Sequence, residues 1–222
     1  REVYFGRTSV AFVLWSEFVT SLFGSMHGGV GLYMRSRFYR RLFKSIGKKV
    51  FIGRNVTFRH SRKTTLGSHV ILDDNCVIDA KGESNRGISI GDGVYIGRNT
   101  ILYCKNGDME IGPKVNISAN CIVMSSNQLS IGEGTTIGAL CHFLSGGEYD
   151  YKDQTPFCEQ RAVGTRGPLT IGRNCWIGTG VKVLDAACIG DHCVIGAGSV
   201  VTKPIPPNSL AVGVPARVIR SI

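Results

Sequence analysis

The sequence predicts an all-β fold, a coil of short parallel strands, and three observations carry that prediction. Aliphatic residues recur at a strict step of six between Ile171 and Val201. A glycine follows most of them, as at Gly172 and Gly178, and a smaller residue such as Cys175 stands four positions after each aliphatic one. A helix repeats every 3.6 residues and a strand every two, so neither alone has this period. A coil with three six-residue sides per turn has it, which is the hexapeptide parallel β-helix.

The same period extends over most of the chain. Triplets of six-residue repeats begin at Leu66, Ile90, Ile111, Ile131 and Ile171. One turn of three repeats takes 18 residues, whereas successive triplets start 24, 21, 20 and 40 residues apart. The excess predicts loops pushed out at one corner. The largest of them, at 144–168, is long enough to be a functional arm, and the β-helix itself is expected over 48–205.

The bulk composition fits one compact body with an appendage. The 222 residues include 29 glycines and 43% hydrophobic residues, and glycine suits tight corners where positive φ is needed. The net charge of +10 does not indicate a nucleic-acid partner. Seven basic residues lie between 35 and 49 without an acid, and the aromatics there form no RNA-binding pattern.

Eight cysteines raise the question of disulfides. Five of them occupy the small inward position of the repeat: Cys76, Cys121, Cys141, Cys175 and Cys193. At such a position cysteine acts as a compact apolar filler. No pair combines with a second pair at zinc-ligand spacing, so no metal is expected. We therefore expect eight reduced thiols, which indicates a cytoplasmic setting or the cytoplasmic face of a membrane.

Residues 1–47 stand outside the repeat and are expected to be helical, apolar first and then basic. The apolar stretch predicts helix as far as about Phe23. Glycines are expected to break it at Gly24, Gly28, Gly29 and Gly31. A signal peptide lacks support because no cleavage site is evident. A spanning helix needs about 20 apolar residues, and Glu17 and the glycines interrupt this run.

Two interpretations of this segment stay open. An amphipathic or re-entrant helix would lie in the membrane face, because apolar burial and the attraction of Lys and Arg to anionic lipid act together over residues 1–49. Alternatively, the helix packs across the end of the coil, or against another subunit, and covers exposed strands.

The end of the chain carries the most specific motif. Residues 194–220 read VIGAGSVVTKPIPPNSLAVGVPARVIR, and a C-terminal extension is expected over 206–222. With the repeat and the arm, this motif resembles the hexapeptide-repeat acyltransferases, in particular the sugar and polysaccharide O-acetyltransferases related to maltose and serine acetyltransferases. The resemblance covers roughly residues 48–222. It implies a left-handed parallel β-helix, a homotrimer with active sites in the clefts between subunits, and acetyl-coenzyme A as donor.

Acyl transfer to a sugar hydroxyl needs a general base, and histidine suits this role because it titrates near working pH. Among five histidines, His142 follows the inward Cys141 and precedes the inward Phe143, so alternation points it outward. It also stands immediately before the arm, where an interfacial base is expected. A surface or subunit-contact histidine is the alternative for this position.

The arm departs from the pattern of the family. Relatives of this branch commonly carry a histidine in the motif that here reads GGEYDY, where this chain has Glu148. Glu148 is therefore an alternative base, for which burial would have to raise its pKa. Glu148 is also an alternative orienting group for the His142 imidazole, and Asp150 is a second candidate for that role. Loss of catalysis is the remaining alternative.

The resemblance also implies a donor site. The residues carried over by position for cofactor binding are Trp176, Gly178, Gly180, Ala197, Thr202, Lys203 and Arg217. The small residues would allow close approach of the pantetheine chain, and Lys203 and Arg217 would meet its phosphates. For Trp176 a subunit contact is the alternative, and for the two cations a solvated charge.

The sequence thus favours an acetyl-coenzyme A-dependent O-acetyltransferase. Its acceptor is expected to be a glycan or lipid-linked sugar, from a surface polysaccharide or its precursor. The alternative is a catalytically silent trimeric scaffold or assembly protein that keeps the coil without the chemistry. A third class, a carbonic anhydrase built on the same coil, would need three well-spaced histidine ligands, which the region around His142 lacks.

Overall fold

The observed architecture is a triangular coil with helices across one end. The computed structural model describes residues 5–6, 8–147, 149–160 and 164–222. Two α-helices come first, α1 (Val10–Phe23) and α2 (Gly28–Phe38), and 3₁₀ turns occur at Tyr39–Leu42 and Ser61–Lys63. The strands of the described ranges are β1 (Ser45–Ile46), β2 (Phe51–Ile52), β3 (Thr57–Arg59), β4 (Thr64–Leu66), β5 (Ile71–Leu72), β6 (Val77–Asp79), β7 (Ile88–Ile90), β8 (Tyr95–Ile96), β9 (Ile101–Cys104), β10 (Asp108–Ile111), β11 (Asn116–Ile117), β12 (Ile122–Ser125), β13 (Gln128–Ile131), β14 (Thr136–Ile137), β15 (His142–Ser145), β16 (Leu169–Ile171), β17 (Trp176–Ile177), β18 (Lys182–Val183), β19 (Cys188–Ile189), β20 (Val194–Ile195), β21 (Val200–Val201), β22 (Ser209–Val212) and β23 (Arg217–Ser221).

The strands form three sheets, one for each side of the triangle. Sheet A is ordered β1-β4-β7-β10-β13-β16-β19, and sheet C is ordered β3-β6-β9-β12-β15-β18-β21. Sheet B is ordered β2-β5-β8-β11-β14-β17-β20-β22-β23, and its last pair is antiparallel. Up to β21, each strand pairs in parallel with the strand three places along the chain, which makes seven complete coils among the described residues. The coil is the predicted left-handed parallel β-helix.

The six-residue period places one aliphatic side chain of each strand inside the coil. Ile171, Ile177 and Val183, one from each sheet of a single coil, are at most 2% exposed. Burying one such side chain stabilises the fold by about 1.5–3 kcal/mol. The five cysteines at the small position are buried as well, and all eight thiols are free. Burial raises the pKa of Cys76 to about 12, so at neutral pH this thiol is protonated and acts as an apolar filler.

Glycine often has a different role at the corners from the one expected. Gly178 does not have positive φ, and a Cβ there would lie 2.6 Å from the backbone nitrogen of Ala197 in the next coil. Glycine is therefore required at this position because adjacent coils approach closely. The left-handed conformation is frequently taken by other residues, such as Asn174 with φ 51°. Half of the described non-glycine residues with positive φ are asparagines, whose short polar side chain tolerates it.

Two boundaries differ slightly from the expected ones. β1 pairs with Thr65–Leu66 of β4, so the coil begins before position 48. Ile46 precedes Ile52 by six residues and continues the period. β15 ends at Ser145 and β16 begins at Leu169, so the irregular arm starts two residues after 144. Leu144 and Ser145 belong to the coil and not to the arm, because β15 pairs with β12 along its whole length.

The C-terminal extension turns back on the last coil. β22 adds in parallel to β20, and β23 folds back on β22 as an antiparallel neighbour. This hairpin occupies the edge of sheet B, where β20 would otherwise present unpaired backbone groups.

The helices cover the first coil, as one interpretation of the N-terminal segment predicts. Ser9 caps α1 by accepting a hydrogen bond from the Phe12 N–H. The inner face of α1 buries Phe12, Val19 and Phe23 in the same core cluster as the coil. α1 ends at Phe23, as expected. No helix within the described ranges is both long and apolar enough to cross a bilayer.

The glycines after α1 interrupt the helix only briefly. α2 begins at Gly28 and contains Gly29 and Gly31, contrary to the expectation that these glycines end helical structure. A Cβ at Gly31 would lie 2.2 Å from the carbonyl oxygen of Met26. Glycine is therefore required here by contact with the preceding turn, and tertiary packing outweighs its low helix propensity.

Arg35 belongs to this packing and does not form part of a lipid-facing surface. It is 1% exposed. Its Nη1 donates to the carbonyl oxygens of Phe23 and Met26, and its Nε donates to the carbonyl oxygen of Ile52 at 2.8 Å. The guanidinium thus satisfies carbonyls at the end of α1 and ties both helices to β2. Burial lowers the pKa of Arg35. The basic run of 35–49 is therefore not uniformly available to lipid.

Candidate functional site

The candidate base, His142, lies on the outer face of sheet C. It is the first residue of β15 and is partly exposed, whereas its neighbours Cys141 and Phe143 are fully buried, as alternation predicts. The His142 backbone N–H donates to the carbonyl oxygen of Val181 at 2.9 Å. Within sheet C, His142 is in register with Lys182 of the next coil. The imidazole and an ammonium group therefore occupy adjacent outward positions.

Lys182 is a functional candidate that the sequence reasoning missed. It is the first residue of β18 and is exposed. It stands 40 residues after His142, which is the interval between the triplet starts at Ile131 and Ile171. From this 40-residue interval, the position of Lys182 beside His142 could have been predicted. An ammonium group at this position can stabilise negative charge that develops on an oxygen atom in the site.

The arm leaves sheet C at the opposite end of β15 from His142. Three residue steps separate His142 from Ser145, which is about 10 Å of strand. The base of the arm is closed by a hydrogen bond from the Gly147 N–H to the carbonyl oxygen of Gly164, at 3.2 Å. The arm is therefore close to His142 in sequence, but it begins at the opposite end of strand β15.

Asp185 anchors the returning end of the arm. This aspartate is 3% exposed. Its carboxylate accepts hydrogen bonds from Thr165 Oγ1, at 3.2 Å, and from the Arg166 backbone N–H. Asn127 Nδ2 also donates to Thr165 Oγ1. The neighbouring coils thus hold the point at which the chain re-enters the repeat.

Two acidic residues of the arm are candidates for the site. Glu148 lies outside the described residues. Asp150 is exposed, and its Oδ1 accepts from the Lys152 backbone N–H at 2.9 Å, which is a turn local to the arm. Its backbone is also tied to the side chain of Gln160. The role of Asp150 as an orienting carboxylate for His142 stays a prediction, as do the roles of Glu148. Within the described ranges no group of three His, Cys, Asp or Glu side chains could hold a metal ion.

The corner between sheets B and C contains three of the predicted donor residues, Gly178, Gly180 and Ala197. A Cβ at Gly180 would meet only Gly198, at 4.0 Å, and a Cβ at Gly198 would meet nothing within 4 Å. The surface is therefore open along these two glycines, next to the strand that pairs with His142. At Gly178 the next coil fills the space that a Cβ would occupy, so the packing of the coil alone requires glycine at this position.

Trp176 lies on the outer face of sheet B, two residues before that corner. It is 62% exposed and in register with Thr136 and Val194. An exposed indole offers a large, rigid contact area to a ligand or to a second subunit. Both interpretations of Trp176 therefore stay predictions.

The two predicted phosphate-binding cations lie apart, Lys203 after the last strand of sheet C and Arg217 at the start of β23 in sheet B. Thr202 and Lys203 follow β21, at the corner between sheets C and A. The Ala216 N–H donates to the carbonyl oxygen of Val200 at 2.8 Å, so Ala216 extends the row His142–Lys182–Val200 of sheet C. Arg217 is the next residue along the chain, whereas Lys203 follows the opposite end of β21.

Comparison with known proteins identifies the repeat. Residues 168–203, which include Trp176 and Thr202, match the family model described as Bacterial transferase hexapeptide (six repeats). The resemblance to hexapeptide-repeat acyltransferases that the sequence predicts is thereby confirmed.

Two relatives and one solved structure are similar to parts of the chain. The galactoside O-acetyltransferase of Escherichia coli is 62% identical over 55 residues, which is 25% of this chain and 27% of that enzyme. A provisionally named acetyltransferase of Staphylococcus aureus is 40% identical over 116 residues, 52% of this chain and 56% of that protein. The chain thus spans about half or less of the length of these relatives. AntD, an N-acyltransferase of Bacillus cereus solved with dTDP and 3-hydroxybutyryl-CoA, shares the fold with a TM-score of 0.59, 21% identity, and coverage of 84% and 87% of the two chains.

Proposed function

We propose that this protein transfers an acetyl group from acetyl-coenzyme A to a sugar hydroxyl, with His142 as the general base. The observation that carries the proposal is the position of His142, outward on sheet C, in register with Lys182 and beside the open corner at Gly180. This arrangement occurs in a hexapeptide-repeat chain whose relatives include a galactoside O-acetyltransferase.

The reaction moves an acyl group from sulfur to oxygen. His142 accepts the hydroxyl proton while the sugar oxygen attacks the thioester carbonyl. The carbon–oxygen bond forms, the carbon–sulfur bond breaks, and the leaving thiolate takes the proton back from the imidazolium. The Lys182 ammonium stabilises the oxyanion of the tetrahedral intermediate. A positioned base of this kind contributes about 10²–10⁴-fold in rate.

The donor substrate fits the open corner. The missing side chains at Gly180 and Gly198 leave space for a narrow pantetheine chain. Ala216 extends the row of His142, Lys182 and Val200 on sheet C. The next residue, Arg217, would meet the phosphates of the donor. Thr202 and Lys203 lie across sheet C from this path, so they would contact a donor bound at a neighbouring subunit.

A neighbouring subunit would complete the cleft in a homotrimer. The outward residues of sheet C around the candidate base are apolar and partly exposed: Ile101, Tyr103, Ile122, Met124 and Leu144. A contiguous apolar face of this kind is typical of an interaction surface. The proposed acceptor, a glycan or lipid-linked sugar of a surface polysaccharide or its precursor, would bind where this face meets the arm of the next subunit.

The test is release of free thiol from acetyl-coenzyme A with a panel of glycan and lipid-linked acceptors. We expect acceptor-dependent release, and mass spectrometry should show one added acetyl group on the acceptor. His142→Ala should lose the activity, and Glu148→Gln tests the alternative base. If Glu148→Gln loses activity while His142→Ala keeps it, the assignment of the base is wrong.

Binding of coenzyme A distinguishes the enzyme from a silent scaffold. Calorimetry of the wild-type protein should detect coenzyme A binding, and Arg217→Gln should weaken it. If the wild-type protein neither binds coenzyme A nor releases thiol with any acceptor, the trimeric scaffold replaces the enzyme as the best account.

A further inference from the structure

The outer face of α1 is apolar, although it faces away from the protein core. Val10, Leu14, Phe18 and Leu22 recur every four residues and are each at least 50% exposed. The inner face of the same helix buries a serine, Ser16. An ordinary surface helix has one apolar stripe, toward the core, and polar residues outside. α1 instead is apolar on both faces, since its inner face also buries Phe12, Val19 and Phe23.

Little charge interrupts this apolar surface. Glu17 is the one charged residue of α1. α2 adds three exposed apolar side chains, Val30, Leu32 and Tyr33. Seven large apolar side chains are therefore exposed within 24 residues, which is far denser than the scattered surface residues of an ordinary domain.

A basic groove lies beside these helices. It has a volume of about 320 Å³ and is lined by Trp15, Arg37, Phe38, Arg40 and Arg41. The Arg41 guanidinium lies 5.5 Å from the Trp15 ring centre, and the Arg37 guanidinium lies 6.0 Å from that of Phe38. None of the three arginines forms a salt bridge with an acidic residue of the described ranges. Three guanidiniums without acidic partners form a site for an anionic group.

We infer that the outer face of α1 and this basic groove together dock the protein on an anionic phospholipid bilayer. The apolar row enters the boundary between headgroups and acyl chains, and the three arginines contact lipid phosphates. α1 has 14 residues and is about 21 Å long, shorter than the roughly 30 Å hydrocarbon core. It therefore lies along the membrane surface and does not cross it.

Charge favours a bilayer over a second copy of this chain as the occupant. A two-fold contact through this surface would bring together two sets of guanidiniums that have no acidic partner, and like charges at an interface are unfavourable. A free anion would occupy the groove alone and leave the apolar row exposed to water. An anionic bilayer satisfies both the charge and the apolar surface.

Flotation with vesicles tests the inference, and it needs no turnover, so its outcome is independent of the proposed acyl transfer. The wild-type protein should float with vesicles of phosphatidylcholine and phosphatidylglycerol, and not with phosphatidylcholine alone. Binding should weaken when the salt concentration rises from about 0.1 M to about 1 M, because the Debye length falls from about 10 Å to about 3 Å.

Point variants separate the two parts of the surface. Replacing Arg37, Arg40 and Arg41 by Gln should weaken binding by about 100-fold, because each cation near an anionic surface contributes about fivefold. Leu14→Ser with Phe18→Ser should weaken it at any salt concentration. Circular dichroism should stay unchanged, since these side chains lie outside the core. Deletion of the helices is unsuitable because they cover the first coil.

The matched control removes three cations from the coil. Lys81, Lys105 and Arg173 are exposed and form no salt bridge within the described ranges, and replacing all three by Gln should leave vesicle binding within about twofold. Equal losses in both triple variants would mean that net charge alone attracts the protein, and the inference would be overturned. So would the absence of flotation, or a change of oligomeric state in Leu14→Ser/Phe18→Ser with vesicle binding retained.

Discussion

The outer faces of sheets A and C use equivalent positions of one repeat, yet their chemistry differs. On sheet A, the residues one position before each inward apolar residue are Ser45, Thr65, Ser89, Glu110, Ser130, Thr170 and Cys188. On sheet C, they are Thr57, Val77, Ile101, Ile122, His142, Lys182 and Val200. Both sheets enclose the same aliphatic interior.

The difference between these faces separates folding from function. The inward residues of both sheets satisfy one requirement, which is to fill the coil. The outward residues do not contribute to that core, so they can vary with the use of each face. Sheet A has hydroxyls and a carboxylate, which suit contact with water. Sheet C has aliphatic residues that flank a histidine and a lysine, which suits a covered site.

Of the changes that compare the two faces, removal of the candidate base should have the largest effect on activity. His142→Ala on sheet C should lower kcat/KM for acetyl transfer by about 100-fold or more, because a positioned base contributes about 10²–10⁴-fold. Ser130→Ala, at the equivalent position of sheet A, should change it by about twofold at most. A comparable loss in both variants would show that the two faces do not differ in function.

The apolar character of sheet C should control self-association. Ile122→Glu combined with Met124→Glu places two carboxylates on the apolar face, and buried unpaired charges disrupt an interface. If the proposed homotrimer forms through this face, light scattering should show a trimer for the wild type and a monomer for the double variant. Ser130→Glu on sheet A should keep the wild-type mass. An unchanged mass in both variants would place the proposed interface elsewhere.

Lys182 should have a smaller effect than His142. Lys182→Gln should lower kcat by about tenfold, since one exposed ammonium is screened by water until the site closes. KM for the acceptor should change less than kcat, because the charge acts on the transition state. Arg173→Gln, an exposed corner residue of the same coil, is the control for loss of one positive charge. Equal rates for wild type and Lys182→Gln would remove this residue from the site.

The smallest effect concerns the thiols of the two faces. Cys188 is exposed on sheet A, whereas Cys104 is buried behind sheet C and burial raises its pKa to about 12. In the native protein, a thiol reagent should modify Cys188 and the exposed Cys158 quickly and Cys104 only after unfolding. Cys188→Ser should remove one fast-reacting thiol. Rapid modification of Cys104 would contradict the burial of this strand.

The coil could be predicted because its signal is local. Each strand has its own inward aliphatic, so the period is visible without knowledge of the neighbours, and Ile171, Ile177 and Val183 lie inside as expected. The N-terminal segment shows the opposite case. The sequence places Arg35 in a run of basic residues, but the side chain is buried and donates to three carbonyl oxygens that lie 9 to 17 positions away. Gly31 looked like a helix breaker, but it is required where a turn approaches the helix.

The candidate site was predicted in part for the same reason. The outward orientation of His142 follows from alternation along one strand. The neighbour of His142 on sheet C is Lys182, and only the 40-residue interval created by the arm brings them into register. The predicted cations also separate in space, since Arg217 follows Ala216, which extends the row of His142, whereas Lys203 follows the opposite end of β21.

The sequence by itself determined the period, the interior of the coil, the helical start and the identity of the outward histidine, because each depends on residues a few positions apart. Only the tertiary structure decided which outward residues become neighbours, where the arm is anchored, and which basic residues face solvent. Those features depend on stacking between coils and on helix packing, where the contacting residues lie between 9 and 40 positions apart along the chain.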